Sequence, residues 1–387
     1  MAQYSFPWEK KPRILPVNPY IHAIGTAVPP HQIPQAAHCE ILKNANGMSR
    51  EEKLLLQRIY SRSGISKRHS VLAEFAQDDQ PGNFIFHPAG HVPETPVSRR
   101  MDLYENYAPG LCAAAAVDCL RQLPSLEISR ITHLVTFSCT GMYAPGIDMQ
   151  LVEMLGLARS VERTCINFMG CYAAINALKT ARHICRSQPG AVVLVAGVEL
   201  CSIHFRKSTR QDHVVANAIF GDGAAACILS APDLRDDPDT PALRVLDFYA
   251  EFEPAGKEEM AWRIGDQGFD LRLSSYVPSL IQENIRALAE RFFQRAGLKQ
   301  DDIDLYAIHP GGMKILEACE LALGISKEQN RISYDVLKEY GNMSAVTVLF
   351  VLRAHLDKLS QQDKGKKMLA CAFGPGLTME SMIAEVS

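Results

Sequence analysis

The sequence predicts an α/β protein in which buried strands lie between layers of helices. Short runs rich in β-branched residues alternate with longer segments whose apolar residues recur at helical spacing. The 387 residues are 47% hydrophobic and 21% charged, enough for one large or two ordinary domains with a substantial core. Layered α/β packing is expected because it buries the apolar faces of both kinds of element.

The predicted elements occupy separate segments of the chain. Strands are expected at residues 131–138, 191–197, 225–230, 303–308 and 367–373. Helices are expected at residues 50–62, 101–123, 147–155, 171–186, 277–295 and 344–359. Residues 231–241 combine prolines with clustered charge and predict a linker. We therefore divide the chain into a front half, residues 1–235, and a back half, residues 236–387.

The composition argues against several classes of function. A formal net charge of -3 gives no electrostatic footprint for nucleic acid. No apolar run approaches the ~20 residues of a membrane span, and residues 1–11 lack the apolar segment of a secretory leader. The cysteines, 11 in number, lack metal-like CxxC pairing and suit a reduced compartment better than a disulfide framework. We expect a cytoplasmic protein without a bound metal.

Cys171 is the candidate nucleophile. It lies at the predicted start of an apolar helix, where the helix macrodipole and unpaired backbone N–H groups favour a thiolate. Gly170 before it permits a tight turn and the close approach of a substrate carbonyl. A structural cysteine is the alternative, since free cysteine is among the most buried residue types.

The back half supplies a candidate base and a candidate donor. His309 follows a predicted buried strand and enters a Pro-Gly-Gly turn, at the strand end where α/β sheets bind ligands. Asn342 lies in a loop leading to an apolar helix, where an amide serves as a turn or cap residue, or as a neutral donor to an oxyanion. With Cys171 they form a chemical set. The histidine would stabilise the thiolate as an ion pair, and histidine and asparagine would polarise a thioester carbonyl.

Several motifs together resemble the type III polyketide synthases, the enzymes related to chalcone synthase. The likeness runs from about residue 21 to residue 382, and the motifs occur in the order expected for that family. They are Cys139-Thr140-Gly141, Gly170-Cys171, Ile219-Phe220-Gly221-Asp222-Gly223, Ile308-His309-Pro310-Gly311-Gly312, Tyr340-Gly341-Asn342-Met343-Ser344 and Phe373-Gly374-Pro375-Gly376-Leu377. The combination identifies the chain as a member of that family, of a bacterial type.

The resemblance implies a thiolase-like fold of two related halves, each layered α-β-α-β-α, in a homodimer. It also implies an iterative reaction. Cys171 takes an acyl group from an acyl-CoA starter, and His309 and Asn342 hold malonyl-CoA while it loses carbon dioxide. The resulting enolate attacks the acyl-Cys171 thioester in a Claisen condensation. After repeated extension, the product cyclises to a pyrone, resorcinol or phloroglucinol type. No cofactor is implied, because the CoA thioesters are substrates; delivery of the starter by a carrier protein stays open.

The resemblance also assigns binding roles. Phe220 matches an aromatic gatekeeper between the CoA tunnel and the cavity, with an ordinary core phenylalanine as the alternative. Arg58 and Arg62 match cationic positions that grip the CoA phosphates, and their spacing places both on one helical face. A solvated basic face is the alternative, because Leu55 stands where the family often has a third cation.

Three positions depart from the plant members of the family. Leu271 stands where those enzymes carry a second gatekeeper phenylalanine, His204 where they have a small cavity-lining residue, and Cys139 where they have threonine. Cys139 is more typical of bacterial members, with a passive wall residue as the default interpretation. We therefore expect a cavity unlike that of chalcone synthase and hypothesise a fatty acyl starter that gives alkylpyrones or alkylresorcinols.

Two rival functions stay open at this level. A priming ketoacyl synthase uses the same three residue types but performs one condensation and passes its product to a carrier protein. The Gly374-Pro375-Gly376 and Gly341-Asn342-Met343-Ser344 motifs favour the polyketide interpretation over it. A thiolase-fold protein that binds acyl-CoA without chemistry is the other rival, and the intact set of Cys171, His309 and Asn342 argues against it.

Overall fold

A computed structural model describes residues 18–44, 48–75 and 95–387. The prediction that residues 1–11 carry no secretory leader concerns a segment outside these ranges. Within them, no helix has both the length and the apolar character needed to cross a bilayer. The same ranges contain no grouping of three or more His, Cys, Asp and Glu side chains suited to a metal ion.

The described residues form thirteen strands. They are β1 (Tyr20–Ala27), β2 (His31–Pro34), β3 (Lys67–Ser70), β4 (His133–Ser138), β5 (Glu162–Asn167), β6 (Val192–Leu200), β7 (Asp222–Ser230), β8 (Leu243–Phe252), β9 (Met260–Gly265), β10 (Gly268–Leu273), β11 (Leu305–Ile308), β12 (Lys367–Gly374) and β13 (Thr378–Val386).

The same ranges contain ten α-helices. They are α1 (Gln35–Asn44), α2 (Arg50–Ser61), α3 (Val97–Leu120), α4 (Ile147–Leu155), α5 (Ala173–Ser187), α6 (Gln211–Ile219), α7 (Val277–Ala296), α8 (Met313–Leu323), α9 (Arg331–Tyr340) and α10 (Thr347–Leu356). Local sequence explains several of their ends. Ser49 and Glu52 form a capping box that starts α2, and left-handed glycines follow α4, α7 and α8.

Nine strands form one mixed sheet in the order β11-β12-β13-β8-β1-β7-β6-β4-β5. In the front half, β1 and β7 are antiparallel, β7 and β6 are antiparallel, and β6 and β4 are parallel. In the back half, β8 and β13 are antiparallel, β13 and β12 are antiparallel, and β12 and β11 are parallel. The same order and directions occur twice, so the two halves are related, as the family resemblance implies.

The core has five layers. Alternate residues of a strand face opposite sides, and in β6 Val193 and Val195 join the apolar cluster of α5 and α10, whereas Val192 and Leu194 join that of α3 and α4. The back-half strands share the α5 and α10 cluster through Ala370 and pack their opposite faces on α7 and α8. The order is therefore outer helices, front strands, central helices, back strands and outer helices. This arrangement is the layered α-β-α-β-α pattern expected for a thiolase-like fold.

The predicted strands and helices are all present, with shifted ends. The helix expected at residues 171–186 begins at Ala173, and the helix expected at 344–359 is preceded by a short 3₁₀ turn, Ser344–Val346. Residues 231–241 form an irregular, mostly exposed connection between β7 and β8. The division into halves at residues 235 and 236 stays a prediction.

Candidate active site

One cavity of about 830 Å³ is lined by every side chain to which the sequence assigned a catalytic or binding role. They are Arg58, Arg62, Cys139, Cys171, His204, Phe220, Leu271, His309 and Asn342. The fold thus brings together segments from both halves of the chain. The role of each residue stays a prediction.

Cys171 lies in the turn between β5 and α5, one residue before the N-cap residue Tyr172. Gly170 has a φ of 82°, and a Cβ atom on it would lie only 2.0 Å from the Cδ atom of Pro375. Glycine is therefore required here by the backbone conformation and by close packing on the Gly374–Gly376 turn. This requirement is in addition to the predicted approach of a substrate carbonyl, which stays a prediction. Pro375 also lines the cavity, so this turn forms part of its wall.

The Asn342 side chain is held in a defined orientation. Its Oδ1 accepts a hydrogen bond from the backbone N–H of Ser344 at 2.8 Å, and its Nδ2 donates to the carbonyl of Gly311 at 3.2 Å. Ser344 has a φ of 49°, an uncommon conformation for a residue with a side chain. Because an amide nitrogen has two hydrogens, Asn342 can donate a second hydrogen bond into the cavity.

His309 lies directly after β11, as predicted, and is buried. Neither ring nitrogen has a hydrogen-bond partner within the described ranges. Burial lowers the pKa of His309 to about 3, so its imidazole is neutral. The backbone N–H of Gly311 donates to the His309 carbonyl at 2.9 Å, which places the histidine beside the carbonyl that Asn342 contacts.

The Cys171 sulfur lies 3.7 Å from the Ser344 hydroxyl oxygen. Burial raises the pKa of the Cys171 thiol to about 12, although hydrogen bonds from the Ser344 and Asn342 side chains act to lower it. Burial therefore acts against the thiolate, whereas the helix N-terminus acts for it; the ion pair with His309 stays a prediction.

Glu199 is a buried carboxyl group near this thiol. Its oxygens accept hydrogen bonds from the Thr140 hydroxyl at 2.7 Å and from the backbone N–H of Cys139 at 3.1 Å. Burial nevertheless raises the pKa of Glu199 to about 7. Its negative charge, when present, raises the pKa of Cys171, so the protonation of one group influences the other.

The cavity wall beyond Cys171 is aromatic. The His204 ring stacks on Phe269 with a centroid distance of 4.3 Å, and the indole nitrogen of Trp262 donates to the Cys139 carbonyl at 2.8 Å. The Nε2 atom of His204 donates to the Thr140 carbonyl at 2.6 Å, and its Nδ1 accepts from the Phe269 backbone N–H at 3.3 Å. Both His204 nitrogens are thus engaged, and burial lowers the pKa of His204 to about 3.

Cys139 also has structural partners. The backbone N–H of Gly170 donates to the Cys139 sulfur at 2.9 Å, and burial raises the pKa of this thiol well above its usual range. These contacts favour the passive wall role over a chemical one. Leu271 lies on β10 opposite Trp262 and contributes an aliphatic part of the same wall.

Exposed basic side chains surround one part of the cavity. Arg58, Arg62 and Lys314 line it and have no carboxylate partner in the part of the chain that the structure describes. Leu55 lines the same region. Unpaired cations beside an apolar side chain are suited to a ligand that carries phosphates on an organic body.

Sequence reasoning missed four residues of this site: Glu199, Trp262, Phe269 and Ser344. Glu199 had a usable signal, since it is a charged residue near the end of the otherwise apolar strand β6. Ser344 stood inside a motif that the sequence analysis used, but no role was assigned to it. Trp262 and Phe269 lie on the hairpin β9–β10, which the sequence analysis did not predict.

Comparison with known proteins agrees with this geometry. Two family models match the sequence. The model of the N-terminal domain of chalcone and stilbene synthases matches residues 17–233, and the model of their C-terminal domain matches residues 246–386. It is 32% identical over 331 residues to the alpha-pyrone synthesis polyketide synthase-like Pks18 of Mycobacterium tuberculosis, covering 86% of this chain and 82% of that one.

Two solved structures have the same fold over nearly the full chain. PKS-I from the brown alga Ectocarpus siliculosus is 32% identical with a TM-score of 0.87, covering 96% of this chain and 99% of that one. The C-terminal type III polyketide synthase domain of Steely1 from Dictyostelium is 28% identical with a TM-score of 0.85, covering 95% and 99%. The thiolase-like fold is confirmed, and membership of this family decides against a priming ketoacyl synthase. The chain belongs to the chalcone and stilbene synthase family and is a type III polyketide synthase, an acyltransferase that builds polyketides iteratively from CoA thioesters.

Proposed function

We propose that Cys171 carries the growing chain and that His309 and Asn342 stabilise the enolate of malonyl-CoA. The observation that carries this proposal is the convergence of the three residues on one cavity. Ser344 contacts both Cys171 and Asn342, and Gly311 contacts both Asn342 and His309. These contacts therefore connect Cys171, Asn342 and His309 through two other residues, Ser344 and Gly311.

Acyl transfer begins with a neutral thiol in this proposal. As the Cys171 sulfur attacks the starter thioester, its proton passes to the neutral His309 ring; the same proton then passes from His309 to the CoA sulfur, so that CoA leaves as a thiol and His309 is neutral again. The acyl-Cys171 thioester is the product of this step. A neutral His309 is suited to accept the proton because burial disfavours a permanent ion pair at this position.

Decarboxylation uses the same groups as donors. Malonyl-CoA loses carbon dioxide, and the electron pair of the broken bond becomes an enolate whose oxygen accepts hydrogen bonds from the His309 ring and the Asn342 amide. The enolate carbon then attacks the acyl-Cys171 carbonyl and displaces the sulfur. This chemistry needs no metal or redox cofactor, because decarboxylation itself supplies the carbanion equivalent.

A pair of variants separates the two half-reactions. Cys171→Ala should abolish the acyl adduct but retain measurable release of carbon dioxide from malonyl-CoA. Asn342→Ala should still acylate Cys171 but lose decarboxylation by about 100-fold or more, the typical effect of removing one oxyanion donor. Mass spectrometry of the intact protein measures the adduct, and release of labelled carbon dioxide measures decarboxylation.

Three results decide this proposal. An acyl adduct mapped to a cysteine other than Cys171 would contradict the assignment of the nucleophile. An equal loss of both steps in Asn342→Ala would indicate damage to the loop rather than loss of a donor. Absence of any carbon dioxide release from wild-type protein would instead support a non-catalytic acyl-CoA-binding protein.

We further propose that the starter is a fatty acyl group. The cavity volume of about 830 Å³ lies in the upper part of the usual range for small-molecule sites. Leu271 presents an aliphatic side chain to the cavity, and Ile33 and Phe75 extend its apolar lining. The similarity to a relative named for alpha-pyrone synthesis favours a pyrone among the possible products.

A panel of starters tests this second proposal. Wild-type enzyme receives malonyl-CoA with acyl-CoA starters from acetyl to long-chain, together with an aromatic starter and an acyl carrier protein loaded with the best chain. Extension of long acyl chains, identified by mass spectrometry of the products, supports the proposal. Turnover restricted to acetyl, malonyl or aromatic starters would refute it, and faster loading from the carrier protein would identify that donor.

We also propose that the protein acts as a homodimer. Strand β5 is one of the two edge strands of the nine-stranded sheet, and five of its six residues are exposed. An uncovered edge is a site for pairing with another strand. Helix α4 contacts β5 and exposes Met149 and Met154, so apolar side chains lie on a neighbouring element.

A further inference from the structure

Arg68 is a buried arginine without an acidic partner. It lies on β3, is 3% exposed, and no carboxylate among the described residues forms an ion pair with it. A buried charge is costly unless its hydrogen bonds are satisfied. The hydrogen-bond partners of Arg68 therefore indicate its role in the structure.

The guanidinium group joins three separate segments of the chain. Its Nε donates to the Gln35 side-chain oxygen at 2.9 Å, and one terminal nitrogen donates to the Nδ1 atom of His38 at 2.7 Å, both on α1. The other terminal nitrogen donates to the carbonyls of Asn217 at 2.9 Å and Phe220 at 2.5 Å, at the end of α6. The Tyr60 hydroxyl on α2 donates to the same Asn217 carbonyl at 3.0 Å.

The Phe220 carbonyl that Arg68 contacts belongs to the residue predicted as the gatekeeper. Phe220 and Asn342 form an isolated parallel bridge, in which the Asn342 backbone N–H donates to Ile219 at 2.8 Å and the Gly221 N–H donates to the Asn342 carbonyl at 3.0 Å. Any movement of the Phe220 backbone therefore moves Asn342 as well.

The aliphatic part of Arg68 supports the other side of this bridge. A Cβ atom on Gly341 would lie 2.8 Å from the Cγ atom of Arg68 and 2.7 Å from the Ile219 carbonyl oxygen. Gly341 has a φ of 69°, so both its conformation and its surroundings require glycine. The Gly341 backbone, one residue before Asn342, is thus packed directly against Arg68.

We infer that Arg68 is a positioning residue that fixes Phe220 and Asn342 as one unit relative to Cys171. This inference rests on the proposed roles of Phe220 and Asn342. Arg68 itself need not touch the substrate. Its guanidinium group holds the Phe220 carbonyl on one side, and its aliphatic part packs on Gly341, the residue before Asn342, on the other. A lysine, with a single nitrogen, cannot reproduce this set of hydrogen bonds.

Arg68→Lys tests the inference, with Arg182→Lys as the matched control. Arg182 is also buried, donates to the carbonyl of Leu246 and pairs with Asp247, but it does not line the cavity. In Arg68→Lys, decarboxylation of malonyl-CoA should fall about 10- to 100-fold because the donor is misplaced. Acylation of Cys171 should stay within about threefold of the wild type. Arg182→Lys should leave the ratio of the two rates unchanged.

The ratio of the decarboxylation rate to the acylation rate distinguishes a positioning role of Arg68 from a general effect on the stability of the protein. A merely structural role would lower both rates of Arg68→Lys together, in step with the folded fraction measured by thermal unfolding, and that result would overturn the inference. A crystal structure of Arg68→Lys provides a readout that does not depend on activity. A shift of the Phe220 and Asn342 backbone of about 1 Å or more relative to Cys171 supports positioning, whereas an unmoved bridge refutes it. Wild-type protein without either half-reaction would refute the proposed function, while this structural comparison would still decide the role of Arg68.

Discussion

At the scale of single residues, Glu199 links the chemistry of the site to pH. Burial raises its pKa from 4.5 to about 7, so the folded protein holds this proton more tightly than the unfolded chain does. The corresponding stabilisation is fully present below about pH 4.5 and is lost as the pH rises to about 7. Above that range Glu199 is ionised and its charge opposes formation of the Cys171 thiolate.

Glu199→Gln should remove this pH dependence. The free energy of unfolding of the wild type, minus that of the variant, should fall by about 3 kcal/mol between pH 4.5 and pH 7 and change little above pH 7. Urea unfolding at a series of pH values measures this difference. Asp222, whose pKa burial also raises, to about 6, contributes equally to both proteins and cancels. A difference that stays constant over the range would contradict the assigned pKa.

Residues were predicted well where a short motif carried the signal and poorly where distant contacts decide. Cys171, His309 and Asn342 each stand in a recognisable local motif, and all three line one cavity. Arg68 was not predicted, because its role depends on carbonyl groups about 150 residues away along the chain. Burial raises the pKa of the Cys171 thiol, an effect that the local helix-end argument does not contain, because desolvation depends on the packing of both halves.

At the scale of elements, helix α2 and its C-terminal end carry the two arginines that are predicted to bind the CoA phosphates. Arg58 and Arg62 lie four residues apart and both line the cavity, while Arg50 at the start of the same helix is exposed and does not line it. The contrast on one helix provides an internal control for the prediction that these cations hold the CoA phosphates.

Replacing both arginines, Arg58→Ala and Arg62→Ala, should raise the KM for CoA thioesters about five- to tenfold. The kcat should change little, because phosphate contacts remote from the reacting carbon are made equally in the ground state and the transition state. Steady-state kinetics at low and high salt measure the effect, which should weaken as salt increases. Arg50→Ala should leave KM unchanged, and an equal rise in that variant would indicate a general charge effect.

Element prediction failed where strands lack the expected pattern. Strand β5 is almost entirely exposed and rich in polar residues, so neither an apolar run nor a clean alternation marks it. Strand β13 is buried but contains Thr378, Glu380 and Ser381, which break its apolar character. Strand β5 pairs with the apolar strand β4, and β13 pairs with β12 and with the distant strand β8. Local propensity does not include the stabilisation that such pairing provides.

At the scale of the whole molecule, the duplicated topology explains why the site combines both halves. The central helices α5 and α10 share one apolar cluster between the two sets of strands. Cys171 lies at the start of α5, and Asn342 lies in the loop before α10. The loops that enter the two central helices therefore meet across the interface between the halves. Neither half alone contains the nucleophile and both donors.

The open edge at β5 leads to a prediction about assembly. If two copies pair along this edge, Thr164 on β5 and Met149 on α4 become part of the interface, and lysine at both positions should disfavour it through charge repulsion and desolvation. The wild type should have the mass of two chains in size-exclusion chromatography with light scattering, and the Thr164→Lys/Met149→Lys variant should shift toward the mass of one.

The control for this prediction is Leu321→Lys, which changes an apolar side chain that is 69% exposed on α8, away from β5. This variant should remain dimeric with an unchanged unfolding temperature. A dimeric double variant at the same protein concentration would contradict pairing along β5, and a wild type with the mass of one chain would contradict the dimer itself. Because Cys171 follows β5 by only a few residues, a monomeric variant should also show slower acylation of Cys171, since the turn from β5 into α5 would lose its support from the partner.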